Sequence, residues 1–286
     1  MDGTHDIADE QRRLWNGASG HAWVEMQDLL DELYKPIQDL LVAAVSAKPR
    51  THVLDVGCGT GSTTLAVARR LGATGRSTGV DISQPMIAAA RARAEGEGAA
   101  ASFICANAQI YPFDPERVDM IISRFGVMFF ADPVQAFANL RRAATDAAEL
   151  ECIAWRSVEE NPFMTTAERA AAAILPNLPA RRPNVPGQFS FANGPRVVAI
   201  LEDSGWAEIA LQPIEVECTM PEQELVRYLT RLGPVGLALQ EADEETRARV
   251  IDTIRPAFDR YVHGKDVRFP AACWLVRARA GRPRTP

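Results

Sequence analysis

Two acidic residues and a set of alternating glycines form the part of this sequence that is best suited to bind a ligand. Residues 53–61 read Val-Leu-Asp-Val-Gly-Cys-Gly-Thr-Gly, so an apolar run leads into Asp55 and then into a glycine at every second position. The helical spacing of apolar residues from Ser62 to Leu71 predicts that a buried strand, a tight turn and a helix follow one another here. Glycines let the backbone of such a turn approach a ligand closely.

A second acid ends the next predicted strand. Residues 77–81 read Ser-Thr-Gly-Val-Asp, and Asp81 follows the last glycine by about 20 residues, where an acid of a doubly wound fold binds ribose hydroxyls. At the mouth of the turn, Asp55 repels a pyrophosphate and attracts an ammonium or sulfonium group. The two acids together predict a positively charged nucleoside with a free ribose.

Two common phosphate-binding patterns are missing from the turn. The spacing G-x-G-x-x-G requires a third glycine at position 62, which is occupied by Ser62. No Gly-Lys-Ser/Thr sequence follows the turn, so it also lacks the P-loop pattern. Ser62 and the acid Asp55 at the mouth of the turn together disfavour an NAD-dependent oxidoreductase.

Residues 53–61 and 77–81 resemble the first two motifs of the class I S-adenosylmethionine (SAM) dependent methyltransferases. Residues 103–109, followed by Tyr111-Pro112-Phe113, resemble the third-strand motif, and residues 119–130 resemble the fourth. The most similar group is the small-molecule branch that includes ubiquinone/menaquinone methyltransferase-like proteins.

The resemblance implies an α/β fold. This fold is a Rossmann-like, doubly wound, seven-stranded and mostly parallel sheet, with helices on both faces and a mainly helical lid. We expect a single methyltransferase domain over residues 1–286. Its core is expected at about 50–157, 190–220 and 266–280, and its lid and substrate elements at about 1–46, 158–189 and 221–265.

The resemblance also implies SAM as the methyl donor and S-adenosylhomocysteine as its product. The family usually has an aspartate at position 107 that accepts a hydrogen bond from the adenine amino group. Asn107 keeps an acceptor oxygen but lacks the charge, which weakens this contact. Arg124 is expected to reach the donor carboxylate or a helix carbonyl, and a surface ion pair is the alternative. The donor-binding residues implied by the motifs are Asp55, Gly57, Cys58, Gly59, Gly61, Asp81, Ile82, Met86, Asn107, Ala108, Ser123 and Arg124.

The acceptor side of the site is less well defined by the sequence. Methyl transfer from a sulfonium is a single in-line displacement, so the main task of the protein is to position the acceptor. His21 and Tyr34 are weak candidates for a general base, and a solvated histidine and a packed tyrosine are the alternatives. His263, in the last loop, is expected to be solvated. The residues expected to line an apolar acceptor pocket, which could equally be core residues, are Trp15, Trp23, Phe125, Met128 and Trp155.

The acceptor itself is left open between O-, N- and C-methylation, with aromatic and quinone-like compounds among the options. A second departure from the family pattern lies before the fifth predicted strand, where residues 145–149 replace the common Pro-Gly-Gly. Together with Asn107, it keeps open a second hypothesis. The protein would then be a SAM- or nucleoside-binding regulatory protein of the same fold without methyl transfer.

Composition limits the partners and the location. The net charge of −6 disfavours nucleic acid, whose binding proteins carry basic surfaces. Five scattered cysteines without a C-x-x-C pair predict no metal site and a reducing compartment. No apolar run approaches the roughly 20 residues of a membrane span. We therefore expect a cytoplasmic monomer or homodimer that acts on a small molecule, with a role in secondary metabolism.

Several local features carry further expectations. Pro36 is expected to bend the N-terminal helix, and Arg93, on the helix after Asp81, is expected to face solvent. Pro213 predicts a bend or a sheet edge. The prolines between residues 176 and 186 predict a stiff insertion.

Overall fold

The computed structural model describes residues 2–182 and 185–281 of the chain. Pro183 and Asn184, within the proline-containing insertion, lie outside the described residues. The same holds for residues 282–286, which make up most of a polar tail that the sequence predicts to be frayed.

The strands within the described ranges form one sheet. They are β1 (His52–Val56), β2 (Arg76–Asp81), β3 (Ala101–Cys105), β4 (Val118–Arg124), β5 (Ala144–Trp155), β6 (Ala207–Pro221), β7 (Val262–His263) and β8 (Asp266–Arg279). The sheet order is β3-β2-β1-β4-β5-β8-β6, and β7 pairs with β8. Strands β1 to β5 pair in parallel, whereas β8 runs antiparallel to both β5 and β6. The doubly wound α/β fold is therefore confirmed.

The expected strand count of seven is wrong, because the described part of the sheet has eight strands. The additional strand, β7, has two residues and forms a hairpin with the start of β8, where Val262 pairs with Val267. Such a short segment carries no alternating apolar pattern, so the sequence does not indicate it.

Helices connect the strands and cover the sheet. The α-helices are α1 (Asp2–Asn16), α2 (Ala18–Glu25), α3 (Gln27–Leu33), α4 (Lys35–Ser46), α5 (Ser62–Leu71), α6 (Gln84–Glu97), α7 (Pro133–Ala143), α8 (Phe163–Ala171), α9 (Gly194–Asp203), α10 (Leu225–Arg231), α11 (Gly233–Glu241) and α12 (Glu244–Ile254). Four 3₁₀ segments in the described residues are Gly72–Thr74, Gly126–Phe129, Glu222–Glu224 and Arg255–Tyr261.

The connections explain why helices lie on both faces. Helices α5 and α6 lead from β1 towards β3, and α7 leads from β4 towards β5, so the chain winds in opposite directions from the middle of the sheet. Right-handed crossovers in opposite directions place their helices on opposite faces. The carboxyl ends of β1, β2 and β4 meet at the edge where ligands of open α/β sheets bind.

The helical stretch around Pro36 is interrupted at Tyr34, between the end of α3 and the start of α4, which agrees with the expected effect of this proline. The prediction for residues 145–149 is wrong. Residues 145–149 are part of β5 rather than a loop, because β5 follows α7 directly and Ala148 is fully buried. Pro213 lies in β6, at the edge of the sheet, as predicted.

The division into core and lid stays a prediction. Strands β6 and β8 belong to the sheet, as the proposed core segments require. The segments assigned to the lid contain α1 to α4, α8 and α10 to α12. Within residues 2–182 and 185–281, no helix combines the length and the apolar character needed to cross a membrane.

Candidate active site

The turn after β1 holds three glycines with positive φ. Gly57, Gly59 and Gly61 have φ values of +67°, +55° and +86°, which lie in the left-handed region that favours glycine. A Cβ atom on Gly57 would lie 2.5 Å from the Cα atom of Gly126, in the turn after β4. A Cβ atom on Gly59 would meet only the sulfur of Met86, at 3.6 Å. The turn is thus packed tightly at Gly57 and open at Gly59.

Asp55 lies beneath this turn. It is 1% exposed, and the Thr64 hydroxyl donates a 2.7 Å hydrogen bond to its Oδ2 atom. Burial raises the pKa of Asp55 to about 6, and the Thr64 hydrogen bond and Arg124 oppose this rise, whereas Asp81 adds to it. A buried carboxylate of this kind is stabilised by a positively charged ligand.

Asp81, at the end of β2, is fixed by the backbone on both sides. Its Oδ2 atom accepts the Gly59 N–H and its Oδ1 atom accepts the Ser83 N–H, each at 2.9 Å. Burial raises the pKa of this carboxyl group, and the two backbone hydrogen bonds oppose the rise. Each oxygen can accept a further hydrogen bond. The carboxylate is therefore oriented and still able to bind two hydroxyl groups.

Replacing Asp81 by alanine is expected to weaken donor binding by about tenfold or more, which corresponds to about 1.4 kcal/mol. The substitution removes both acceptor atoms for the ribose and also frees the Gly59 N–H. Asp81→Asn, which keeps one acceptor oxygen, is expected to have a smaller effect. Calorimetric titration with S-adenosylhomocysteine measures both, and an unchanged affinity in the alanine variant removes Asp81 from the ribose role.

A narrow recess lies over the turn, and its free space of about 30 Å³ is enough for about one water molecule. Helices of the N-terminal segment contribute one wall, through Trp23 of α2 and Gln27, Leu30 and Asp31 of α3. The Oε1 atom of Gln27 is buried and has no hydrogen-bond partner within the described residues. The sequence places Trp23 near the site, whereas it does not identify the three α3 residues. Their helical spacing from Trp23 is the signal that could have indicated them.

An ion pair joins this wall to the core. Arg93 of α6 donates to Asp31 at 2.7 Å and to the Thr60 carbonyl, in the glycine turn, at 3.1 Å. The expectation that Arg93 faces solvent is wrong, because its guanidinium pairs with Asp31 of α3 and its side chain is only 23% exposed. The pair therefore holds α3 over the turn.

Ser123 is expected from the sequence to bind the donor, but its hydroxyl is used within the protein. It donates to the Val56 carbonyl at 2.7 Å and accepts the N–H groups of Gly126 and Val127 at 3.1 and 3.2 Å. A serine hydroxyl has one donor and two acceptor sites, so none is left for a ligand. Ser123 instead joins the end of β4 to the end of β1 and thereby positions both turns.

The residues expected near the adenosine group lie at the ends of β2 and β3. Asn107 follows β3, and its Oδ1 atom accepts the Gln109 N–H at 3.0 Å. The carbonyl of Ala108 accepts a hydrogen bond from Asn139. The carbonyl of Ile82 accepts one from Asn16, at the end of α1, at 3.1 Å. Burial raises the pKa of the Cys58 thiol, so this residue stays neutral in the turn.

Phe125 follows β4 in an unusual conformation. Its φ of +69° lies in the left-handed region, which is rare for an aromatic residue and is typical of functional sites. Its ring lines the recess and stacks on Trp155, with centroids 4.7 Å apart and an interplanar angle of 11°. Tyr34 meets Phe125 edge-on at 5.4 Å. These three rings form an aromatic cluster behind the recess.

Arg124 lies between the recess and the aromatic cluster. Its Nη1 atom is buried and has no hydrogen-bond partner within the described residues. Burial lowers the pKa of the guanidinium, and Asp31 and Asp55 oppose this change. The sequence places Arg124 near the donor. In the structure, its Nη1 atom donates no hydrogen bond to another described residue.

The candidate bases differ in their positions. His21 is exposed and lies in a separate surface groove with Glu25 and Arg231. Tyr34 is buried, and its pKa is raised well above its ordinary value, mainly by burial and also by Tyr228. Its hydroxyl therefore stays protonated near neutral pH and acts as a donor. His263 is exposed on β7.

The remaining pocket candidates are core residues or lie at the edge of the recess. Met128 is 1% exposed, and its carbonyl accepts the Ser190 hydroxyl at 2.6 Å. Trp15 packs edge-on against Phe129 at 5.0 Å and against Trp23 at 6.2 Å. Trp155 is buried behind Phe125.

The residues of the recess and of the adjoining end of β2 fit SAM by their chemistry. Asp55 and the unpartnered Gln27 oxygen, which line the recess, are acceptors suited to an ammonium group. Asp81 does not line the recess but accepts a hydrogen bond from its Gly59 N–H, and it is suited to the ribose hydroxyls. The open side of the turn at Gly59 leaves the backbone accessible to a ligand. In the part of the chain that the structure describes, no group of three or more His, Cys, Asp or Glu side chains is arranged to hold a metal ion.

Comparison with known proteins agrees with this fold. Residues 53–146 match the model of a family described as a methyltransferase domain. This match spans 94 of the 286 residues and, with the fold, supports a class I SAM-dependent methyltransferase.

Two relatives are similar over part of the chain. An uncharacterized protein of Mycobacterium tuberculosis is 31% identical over 175 residues, which are 61% of this chain and 61% of that protein. A demethylmenaquinone methyltransferase of Lactiplantibacillus plantarum is 32% identical over 114 residues, which are 39% of this chain and 48% of that enzyme. The chain thus spans less than two thirds of the length of these relatives.

A solved structure extends the likeness of the fold. The phosphoethanolamine N-methyltransferase 2 of Haemonchus contortus, in complex with phosphomonomethylethanolamine and S-adenosylhomocysteine, has a TM-score of 0.53 and 17% identity. The match covers 86% of this chain and 53% of that chain. At this identity the similarity shows the fold alone.

Proposed function

We propose that the protein transfers a methyl group from SAM to a small-molecule acceptor by a metal-free in-line displacement. The observation that carries this proposal is the recess in which the glycine turn, the buried Asp55 and the unpartnered oxygen of Gln27 converge. The methyltransferase family match over residues 53–146 supports it. When bound, SAM supplies a methyl group on a positively charged sulfur.

The residues of the chain then have separate tasks. Asp81 holds the ribose, and Asp55 with Gln27 holds the ammonium group. The Arg93–Asp31 ion pair keeps α3 over the site, which excludes water from it. Positioning of two reactants in this way can lower a barrier by about 7–11 kcal/mol.

We also propose that the protein works without a nucleic-acid or membrane partner, as a cytoplasmic monomer or homodimer in secondary metabolism. The net charge of −6 supports a small-molecule substrate over nucleic acid. The demethylmenaquinone and phosphoethanolamine enzymes are named for different acceptors, so their names do not select between a C- and an N-acceptor for this chain.

Two measurements test the proposed function. Calorimetric titration with SAM, S-adenosylhomocysteine and NAD is expected to show binding of the first two only, and binding of NAD alone contradicts the proposal. Transfer of a labelled methyl group from SAM to a metabolite extract is the second. Tight donor binding without any labelled product supports the regulatory, non-catalytic alternative instead.

A further inference from the structure

Arg124 and Gln27 are the residues of the described recess lining that each have a buried polar atom without a hydrogen-bond partner. The side chain of Arg124 lines the donor recess next to Phe125 and adjoins the aromatic cluster of Tyr34, Phe125 and Trp155. The buried Nη1 atom has no partner among the described residues. The residue as a whole is partly buried, but a buried guanidinium N–H group without a hydrogen-bond partner is costly. The Nη1 atom of Arg124 is therefore suited to bind an anionic oxygen of a ligand.

The carboxylates nearest to Arg124 have other partners. Asp31 accepts a hydrogen bond from Arg93, and Asp55 accepts one from Thr64. Neither of them hydrogen-bonds the Nη1 atom of Arg124. The titratable groups that face Arg124 from the surrounding elements are Asp31, Tyr34, Asp55, Arg93 and Cys218.

The donor carboxylate has other groups available in the recess. Thr60 and Thr63, which line it, offer hydroxyl donors next to the N-terminus of α5, a helix of ten residues. Helix N-termini favour carboxylates because their first N–H groups are free. Arg124 lies at the end of β4, beside Phe125 of the aromatic cluster. Because the threonines and the helix N-terminus can hold the donor carboxylate, Arg124 is left for an anionic acceptor.

The candidate bases from the sequence do not serve this site. His21 lies in a separate surface groove, His263 is exposed on β7, and Tyr34 stays protonated. The carboxylates in the recess, Asp31 and Asp55, are bonded to Arg93 and Thr64. A nearby fixed cation promotes the loss of a proton from the acceptor because it stabilises the anion.

We propose that Arg124 binds the ionised oxygen of the methyl acceptor and so selects acceptors with an acidic hydroxyl or carboxyl group over amines. This inference rests on the proposed function and deepens it.

The acceptor releases its proton to water when it binds as the anion. Its oxygen, or the carbon conjugated with it in an enolate, then forms a bond to the methyl carbon. The carbon–sulfur bond breaks at the same time, and its electron pair stays on sulfur to give the neutral thioether. A protonated amine would be repelled by the guanidinium.

The test uses 4-nitrophenol as the probe and protein loaded with S-adenosylhomocysteine. Phenol and phenolate absorb differently, so a pH titration gives the pKa of the bound probe without any catalytic turnover. We expect the wild type to lower this pKa by about 1–3 relative to the free probe. Arg124→Lys is expected to keep part of the effect because it keeps the charge, and Arg124→Gln to lose it. Arg76→Gln, an exposed arginine at the start of β2, is the matched control and is expected to behave as the wild type.

Donor affinity separates the possible outcomes. We expect Arg124→Gln to bind S-adenosylhomocysteine within about threefold of the wild type, which is less than 1 kcal/mol. A loss of donor affinity in this variant, with no lowered pKa of the probe in the wild type, assigns Arg124 to the donor carboxylate and overturns the inference. Labelling of tyramine at its amine rather than at its phenol also overturns it.

A wild type that binds neither SAM nor S-adenosylhomocysteine contradicts the proposed function itself. Should Arg124→Gln fail to fold by circular dichroism, the wild type and Arg124→Lys still decide the result.

Discussion

Gly57→Ala is expected to abolish donor binding and to destabilise the fold. The new Cβ atom would lie 2.5 Å from the Cα atom of Gly126, and a backbone atom cannot move aside as the end of a side chain can. The residue would also keep a φ of +67°, which costs about 1–3 kcal/mol for a non-glycine residue. Relief of the overlap requires the turns after β1 and β4 to separate. Because Ser123 joins these turns, the separation would displace Asp55, Phe125 and Arg124 together.

Gly98→Ala is the matched control. Gly98 has a φ of +62° in the left-handed region, a Cβ atom added to it would have no neighbouring atom within 4 Å, and the residue lies outside the recess. It therefore measures the cost of the torsion alone, which we expect to be about 1–2 kcal/mol. Urea unfolding gives the loss of stability of each variant, and titration with S-adenosylhomocysteine gives the donor affinity. Normal donor affinity in Gly57→Ala shows that close contact of the two turns is not needed for binding.

The sequence predicts the turn and its acids because their signals are local. Asp55 and the glycines lie within one short stretch, and Asp81 ends the next strand. In a parallel sheet, the order of the strands places the ends of neighbouring strands at the same edge. Both acids can therefore be placed near the glycine turn without any knowledge of tertiary contacts.

The wall formed by α3 is not predicted because it depends on contacts between distant segments. Asp31 and Arg93 are 62 residues apart, and each lies on a helix whose polar side chains could equally face solvent. The same limit applies to Gln27, whose burial depends on how α3 packs over the turn. Apolar periodicity indicates the inner face of a helix but does not indicate which polar residue at its border becomes buried.

Residues with several local partners are the other source of error. Ser123 has the position expected of a donor ligand, yet its hydroxyl is fully used by Val56 and the following turn. Phe125 adopts a positive φ that its residue type disfavours, so no sequence pattern indicates it. Its conformation is fixed instead by the contact between Gly126 and Gly57 and by stacking on Trp155.

Donor affinity is expected to decrease by about tenfold for each pH unit below about 6. Burial raises the pKa of Asp55 from 3.8 to about 6, and only the ionised carboxyl group attracts the ammonium group of the donor. Below that pH, binding must first remove the proton. Calorimetric titration with S-adenosylhomocysteine between pH 5 and 7.5 measures this dependence. The Asp55→Asn variant is expected to bind S-adenosylhomocysteine more weakly at pH 7.5, and its affinity is expected not to decrease further below pH 6. If the affinity of the variant still decreases below pH 6, another group is responsible, and Asp81 is the first to examine.

The same substitution is expected to stabilise the ligand-free protein at pH 8. Because the folded-state pKa of Asp55 is higher than 3.8, the folded protein holds this proton more tightly than the unfolded chain does. Stability from this group is therefore fully present below pH 3.8 and is lost as the pH rises through about 6. A carboxylate at pH 8 thus opposes folding by about 2–3 kcal/mol, which asparagine removes while its Oδ1 atom can still accept the Thr64 hydrogen bond. Urea unfolding at pH 8 and at pH 4 checks the sign: the stabilisation by Asp55→Asn is expected to be large at pH 8 and nearly absent at pH 4. Equal stability of the wild type and the variant at pH 8 would mean that the buried Asp55 carboxylate does not destabilise the fold. A positively charged donor would then have no such destabilisation to remove.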